Sequence, residues 1–199
     1  MNLFFDRLGV MKKLLAILVL TLCLTTPSQA DGVNDFQLEG MSIGESALDF
    51  FDEKLIKENV KNWYSDDKFI PVIITLTKSN TYDWVSFHYK KNDKKFKMDG
   101  IRGGLKINYN ECISKMRKVD QDVASLFSGY KKEVKNNLPH DQDKSGKSFI
   151  SGFKYQNVNG DRLSVYCTNW HKDMKTENNL NVGIYTSEFM VWIEEKAYK

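Results

Sequence analysis

Two cysteines offer the clearest chemistry in this sequence. Cys112 and Cys167 are the only cysteines downstream of residue 30. In an oxidising compartment an even pair predicts a disulfide. Two buried free thiols are the alternative, and a redox-active pair is disfavoured because the CxxC spacing typical of such sites is absent. A bridge over this separation of 55 residues is expected to stabilise the fold by roughly 4 kcal/mol on chain-entropy grounds.

A polar loop carries the opening of a calcium-binding motif. Asp141, Asp143 and Ser145 alternate along the chain before Gly146, and oxygen ligands at alternate positions followed by a turning glycine suit Ca²⁺. The twelfth position is Gly152, where such loops need a bidentate Glu. These residues are therefore a weak calcium candidate. The alternative is an exposed loop whose Asp side chains bond their own backbone, and no cofactor is predicted.

Histidines are the other candidates for catalysis. His88, His140 and His171 have no second His or Cys at metal-ligand spacing. No GxSxG motif, which marks the nucleophile of many hydrolases, is present. A Ser/His/Asp triad assembles in space from distant positions, so a hydrolytic site stays open as an alternative.

Aromatic side chains provide a weak candidate for ligand binding. Tyr82 and Trp84 share one face of a predicted strand, and Trp170 is a third aromatic residue that could join them. Such a group can stack on a sugar or an apolar ligand. The alternative is that helices cover this face and the rings belong to the core.

Residues 11–30 have the three-part layout of a secretory signal. A short basic segment is followed by an apolar run over 14–24, and Ser28-Gln29-Ala30 provides small residues at a cleavage site. The run has 11 residues, whereas a membrane span needs about 20, so no retained transmembrane helix is predicted. The signal is complete without the first ten residues, which makes Met11 a second candidate for the start of translation. We therefore expect a periplasmic or secreted protein, cleaved after Ala30.

Composition predicts a folded protein without a nucleic-acid partner. The chain has 29 Lys and Arg against 26 Asp and Glu; three of the basic residues and one acidic residue precede position 31, which leaves a net charge of +1 for 31–199. Nucleic-acid binding needs a clustered basic surface, whereas charges of both signs alternate here. With 41% hydrophobic residues, 31–199 is expected to form one domain after a signal peptide at 1–30.

Hairpin strands and helices must position these side chains. Six segments rich in β-branched and aromatic residues are predicted as strands: 69–77, 82–90, 96–107, 149–155, 163–170 and 180–185. Pro71 lacks an amide donor, which predicts that the first strand lies at a sheet edge or that Pro71 lies near its start.

Helices are predicted before, between and after the strands. Ser42 and Glu45 have the spacing of a capping box, which predicts a helix over 43–51. A long central helix is expected from 108–110, with an apolar stripe that continues to Tyr130, and Ser187 can cap a C-terminal helix. The predicted fold class is therefore α+β, with an antiparallel sheet built from two three-strand runs and with the long central helix and the C-terminal helix packed on it.

Four segments together carry a resemblance to known sequences. They are FQLEGMSIGESALDFF, YKKNDKKF, NECISKM and NLNVGIYTSEFMVWIEEKAYK. The chain resembles a group of small exported proteins from marine bacteria, which implies export and one domain but transfers no activity or functional residue. The segment GMSIGES also resembles a turn of small outer-membrane assembly lipoproteins, although the lipid-attachment cysteine is missing.

Three classes of function follow from these patterns, the third being a calcium-dependent module. The leading hypothesis is a non-enzymatic exported module that binds an envelope protein or an extracellular ligand, because no complete catalytic motif accompanies the export signal. The alternative is a small secreted hydrolase with a spatially assembled site. A cleft lined by a histidine and carboxylates would favour the hydrolase.

Overall fold

A seven-stranded antiparallel sheet organises residues 32–79 and 81–199, which are the part of the chain that the computed structural model describes. The strands are β1 (Phe69–Thr75), β2 (Trp84–Lys90), β3 (Gly100–Lys106), β4 (Lys131–Pro139), β5 (Phe149–Gln156), β6 (Arg162–Asn169) and β7 (Asn179–Tyr185). The α-helices are α1 (Glu53–Glu58), α2 (Tyr109–Val123) and α3 (Ser187–Glu195), and short 3-10 turns lie at Ala47–Asp49 and Lys172–Met174. None of the described helices combines the length and the apolar composition needed to cross a membrane. The predicted signal segment and its cleavage site lie outside the described residues.

Two meanders form the sheet. The order is β1-β2-β3-β7-β6-β5-β4, and every neighbouring pair is antiparallel. Helix α2 connects β3 to β4, and β3 pairs with β7 at the centre. Pro71 lies in the edge strand β1, as its missing amide donor predicted.

The predicted fold class is wrong in its balance of helix and sheet. Each of the six predicted strand segments overlaps a strand of the sheet, although the strand predicted from residue 96 begins only at Gly100. The central helix ends at Val123 and does not continue to Tyr130. A seventh strand, β4, follows where no strand was predicted. The molecule is therefore dominated by one large sheet with short helices, and the α+β description with a long central helix does not hold.

Packing against the sheet explains both differences. Phe127 is fully buried, and it belongs to the turn that follows α2 and not to a continuing helix. The apolar spacing that predicted a helix therefore belongs to side chains that enter the core from a turn. Strand β4 has a polar, mostly exposed sequence, so only its pairing with β5 fixes its conformation.

The helix predicted over 43–51 is replaced by pairing with the chain before β3. The Gly44 and Ala47 amides donate to the Met98 and Phe96 carbonyls at 2.8 and 3.0 Å. Glu45 still returns its carboxylate to the Ser42 amide at 2.8 Å, as in a capping box. Because the backbone donors of this segment have acceptors at 96–98, only the 3-10 turn remains helical.

The face of the sheet that meets α2 is the apolar core. Cys112, in the first turn of α2, is bridged to Cys167 on β6, with their Cα atoms 5.8 Å apart. The predicted disulfide is confirmed. The central strands contribute the other side chains of this face: Val85, Phe87, Ile101, Leu163, Val165, Val182 and Ile184.

Candidate functional site

The sheet face opposite α2 is polar and aromatic. Ser86, Arg102, Gly183 and Ser164 lie side by side across β2, β3, β7 and β6. The neighbouring row across the same strands consists of Trp84, Gly104, Asn181 and Tyr166. Strand alternation places these two rows on one face, because residues paired directly across a ladder share a side.

Glycines allow large rings to lie against this face. A Cβ atom added to Gly104 would overlap the Trp84 ring, and one added to Gly183 would overlap the Tyr185 hydroxyl. The rings therefore form the floor of a depression in the sheet.

Helix α3 and the C-terminal residues form a wall over one part of this floor. Phe189 and Trp192 pack on Phe69 with ring centroids 5.3 and 5.0 Å apart, and the Thr186 hydroxyl, not Ser187, caps the helix by accepting from the Phe189 amide. A cleft of about 660 Å³ lies between this wall and the sheet. Its aromatic lining comprises Trp63, Tyr64, Trp84, Tyr166, Trp170, Tyr185, Phe189 and Tyr198.

Arg102 is the charged group of the cleft. Its Nε donates to Ser86 Oγ at 3.3 Å and its Nη1 donates to Tyr166 Oη at 3.1 Å. The guanidinium carbon lies 5.0 Å from the Trp84 ring centroid, a cation–π distance. Among the described residues, no carboxylate forms an ion pair with Arg102, and no Asp or Glu lines the cleft. Arg102 is thus a half-buried cation held in place but not neutralised.

Tyrosine hydroxyls surround this cation. Burial raises the pKa of Tyr64 and of Tyr185 above their ordinary value, so both hydroxyls keep their protons at neutral pH. Burial opposes the charge of Arg102 and the hydrogen bond to Tyr166 supports it, with the pKa of Arg102 raised overall; a guanidinium does not lose its proton in proteins, so Arg102 stays charged. The cluster presents one positive charge together with several O–H donors, which is an anion-binding arrangement.

His88, on β2, belongs to the floor beneath Phe189 and is not a free base. Its Nε2 lies 2.9 Å from Tyr64 Oη, its ring packs on Phe189 at 4.4 Å, and its Nδ1 is buried with no partner among the described residues. Burial, and then the charge of Arg102, lower the pKa of His88 to about 3. The ring is therefore neutral near pH 7 and weakly basic.

The far end of the cleft is formed by a second aromatic pair and by amides. The Trp170 and His140 rings lie 4.0 Å apart, and the Nε1 of Trp170 is buried without an acceptor in the described part of the chain. Thr168, Asn179 and Asn181 line the floor between this end and Arg102. This end offers hydrogen-bonding groups without charge.

Only two of the three aromatic residues predicted as ligand-binding candidates line the cleft. Trp84 and Trp170 both line the cleft, whereas the Tyr82 ring lies over Gly103 on the core face. Strand β2 begins only at Trp84, so the alternation that placed Tyr82 beside Trp84 does not extend to it. Sequence reasoning missed Arg102, although a lone charge between glycines in a predicted strand was a usable signal.

The calcium candidate is a closed polar loop. Both carboxylate oxygens of Asp143 are occupied: one accepts from the Ser145 amide and hydroxyl at 2.9 and 2.7 Å, and the other from the Ser148 amide and hydroxyl at 2.8 and 2.6 Å. These hydrogen bonds hold the pKa of Asp143 well below its usual range. No group of three metal-binding side chains occurs among the described residues. This geometry favours the alternative in which the carboxylate bonds its own loop.

We expect calcium at sub-millimolar concentration to leave the melting temperature unchanged. Asp143→Asn should lower the melting temperature, because an amide cannot accept four hydrogen bonds from the loop as the carboxylate does. Asp141→Asn is the matched control and should have little effect, because Asp141 is exposed. Differential scanning calorimetry with and without CaCl₂ measures both, and a calcium-dependent rise abolished by Asp141→Asn would contradict this interpretation.

Comparison with known proteins finds no matching family model, no matching curated protein and no matching solved structure. The resemblance to small exported proteins therefore stays a prediction.

Proposed function

We propose that this chain is an exported ligand-binding protein whose cleft holds a small organic anion on Arg102. The observation that carries this proposal is the half-buried guanidinium without a carboxylate partner. Two of its N–H groups are bonded to Ser86 and Tyr166, whereas a guanidinium has five. The remaining donors have no acceptor among the described residues.

The energetics of a buried charge support an anionic ligand. A cation removed from water without a partner is unfavourable, and a bound carboxylate would neutralise Arg102 while accepting hydrogen bonds from it. Ser86, Tyr166 and the Trp84 ring hold the guanidinium in one orientation before a ligand arrives, and preorganisation of this kind lowers the cost of binding. The volume of about 660 Å³ lies within the range typical of small-molecule sites.

The groups in the cleft support binding better than hydrolysis. A hydrolytic triad needs a basic histidine oriented by a carboxylate. His88 is neutral and held by Tyr64, and no described lining residue is a carboxylate. The hydrolase alternative therefore has less support than the binding protein.

Export forms part of the proposal. The Cys112–Cys167 disulfide fits an oxidising compartment such as the periplasm or the extracellular medium. The predicted secretory signal supports the same location. An extracellular organic anion is accordingly the expected kind of ligand.

Binding of carboxylates and of their neutral amides tests the proposal. The exported protein is titrated calorimetrically with benzoate, glucuronate and succinate and with the corresponding amides. We expect at least one carboxylate to bind about 10- to 100-fold more tightly than its amide, as hydrogen bonds to charged groups predict. Arg102→Gln should abolish this preference.

Lys106→Gln is the matched control for Arg102→Gln. It removes the same charge from the same strand, but Lys106 is exposed, pairs with Glu177 and does not line the cleft. Lys106→Gln should bind each carboxylate with the affinity of the unsubstituted protein. Equal affinity for carboxylates and amides, no binding of any carboxylate, or unchanged binding by Arg102→Gln would each overturn the proposal.

A further inference from the structure

The charge of the cleft narrows the class of anion that fits it. Arg102 is the only Lys or Arg among the described lining residues. Burial lowers the pKa of the lining histidines His88 and His140, so they are neutral near pH 7. A phosphate dianion or a dicarboxylate would bring a second negative charge without a second cation, which is unfavourable in a half-buried site. One carboxylate matches the guanidinium in charge and in planar shape.

The charges of the described lining residues also disfavour zwitterionic ligands. An amino acid or a peptide N-terminus would place an ammonium group in a cleft that has no carboxylate among its described lining residues. That ammonium would lie near Arg102 and be repelled by it. The ligand is therefore a monocarboxylate without a positive charge.

The uncharged part of the lining identifies the rest of the ligand. Ser164, Thr168, Asn179 and Asn181 follow one another along β6 and β7 on the cleft face. Asn179 Oδ1 accepts from the Asn181 amide, and the Asn179 amide donates to the Glu177 carbonyl. The Ser164 and Thr168 hydroxyls and Asn181 Oδ1 are therefore the groups left for a ligand. A fatty acid or a purely aromatic acid would cover these oxygens without giving them partners, which is costly. A ligand with many hydroxyls would pair with them, and the neighbouring aromatic rings can pack against the apolar faces of sugar rings.

The length of the floor exceeds one ring. Tyr185 and Asn179, which lie at the two ends of β7, both line the cleft. The six residue-to-residue steps from Asn179 to Tyr185 span about 20 Å at about 3.3 Å per step. Arg102 is paired with Gly183 near one end of β7, and Trp170 lies beyond the other end. The cleft therefore has side chains that can contact a second sugar ring at a distance from Arg102.

We infer that the cleft binds an acidic sugar, with the carboxylate of one uronic acid residue on Arg102 and a neighbouring ring extending toward Trp170. This inference rests on the proposed function and names the chemical class of its ligand. Hydroxyls of the sugars would bond to Thr168 and Asn181.

Binding of disaccharides that join one uronic acid to one neutral sugar tests the inference. The exported protein is titrated with such disaccharides of galacturonate, glucuronate and mannuronate, with their methyl esters, with the monosaccharides and with benzoate. We expect one disaccharide to bind more tightly than its monosaccharide and than benzoate, and its neutral ester to bind at least about tenfold more weakly. Trp170→Ala should reduce disaccharide affinity several-fold and leave monosaccharide affinity unchanged.

Variants of the polar floor separate sugar binding from carboxylate binding. Thr168→Val keeps the side-chain shape and should weaken uronate binding several-fold while leaving benzoate binding unchanged. Asn181→Leu makes the same comparison at a second position, and Lys106→Gln should alter neither ligand. Binding of benzoate but of no uronate would overturn this inference and leave the proposed function standing. Equal binding of the neutral ester, or no binding of any carboxylate, would overturn both.

Discussion

Replacing Cys112 and Cys167 together with serine should lower the free energy of unfolding by about 2–4 kcal/mol. The disulfide joins the first turn of α2 to strand β6 across 55 residues, so its loss enlarges the conformational freedom of the unfolded chain. Both cysteines are fully buried, and the serine hydroxyls would enter an apolar environment, which adds to the loss. Urea denaturation followed by tryptophan fluorescence measures the change.

Reduction of the unsubstituted protein provides the comparison for the double variant. Dithiothreitol should destabilise the unsubstituted protein by a similar amount and leave the double serine variant unchanged. The urea m value should rise when the bridge is absent, because the unfolded chain then exposes more surface. Equal stability of the non-reduced unsubstituted protein and the double serine variant, or two alkylatable thiols in the non-reduced denatured protein, would contradict the bridge.

Acid should destabilise the fold strongly through His88. In the unfolded chain a histidine has a pKa near 6.5, whereas burial lowers the pKa of folded His88 to about 3. Between these values the unfolded state binds a proton that the folded state does not, so stability falls as the pH falls from about 6.5 to about 3. The full stabilisation is present above the unfolded pKa, and the loss through this one residue is at most about 5 kcal/mol.

His88→Gln should remove much of this acid sensitivity. Glutamine does not titrate, and its amide can still pair with the Tyr64 hydroxyl. The slope of unfolding free energy against pH, measured by urea denaturation from pH 7 to pH 4.5, should become shallower. His171→Gln, in the loop after β6, is the comparison for the loss of an imidazole, and the slope should change less in it than in His88→Gln. An unchanged slope in His88→Gln would contradict the prediction, because it would show that His88 takes up a proton equally readily in the folded and unfolded states.

The sequence alone determined most of the local structure. Alternating β-branched and aromatic residues located six of the seven described strands, because a strand with one buried face has apolar residues at every second position. Asn108 caps α2 through its side chain, which accepts from the Glu111 amide at 3.0 Å, as the residue type predicted. The disulfide followed from the count of cysteines and the expected compartment.

Strand β4 and the end of α2 depended on the tertiary structure. Strand β4 has the sequence KKEVKNNLP and no buried face, so its residues show no apolar alternation. It becomes a strand because β5 offers backbone groups with which it can pair. Phe127 and Tyr130 continue the helical spacing of α2, but their rings enter the core from a turn. In both places long-range packing outweighs local propensity.

The cleft was decided by strand order and register. Arg102, Tyr166 and Trp84 lie on three different strands, and β7 enters between β3 and β6 although it follows both in the chain. Only this insertion brings the guanidinium within 3.1 Å of the Tyr166 hydroxyl. Alternation along each strand identifies which residues share a face, but pairing between strands distant in sequence places them beside one another, because that pairing depends on the packing of the whole sheet.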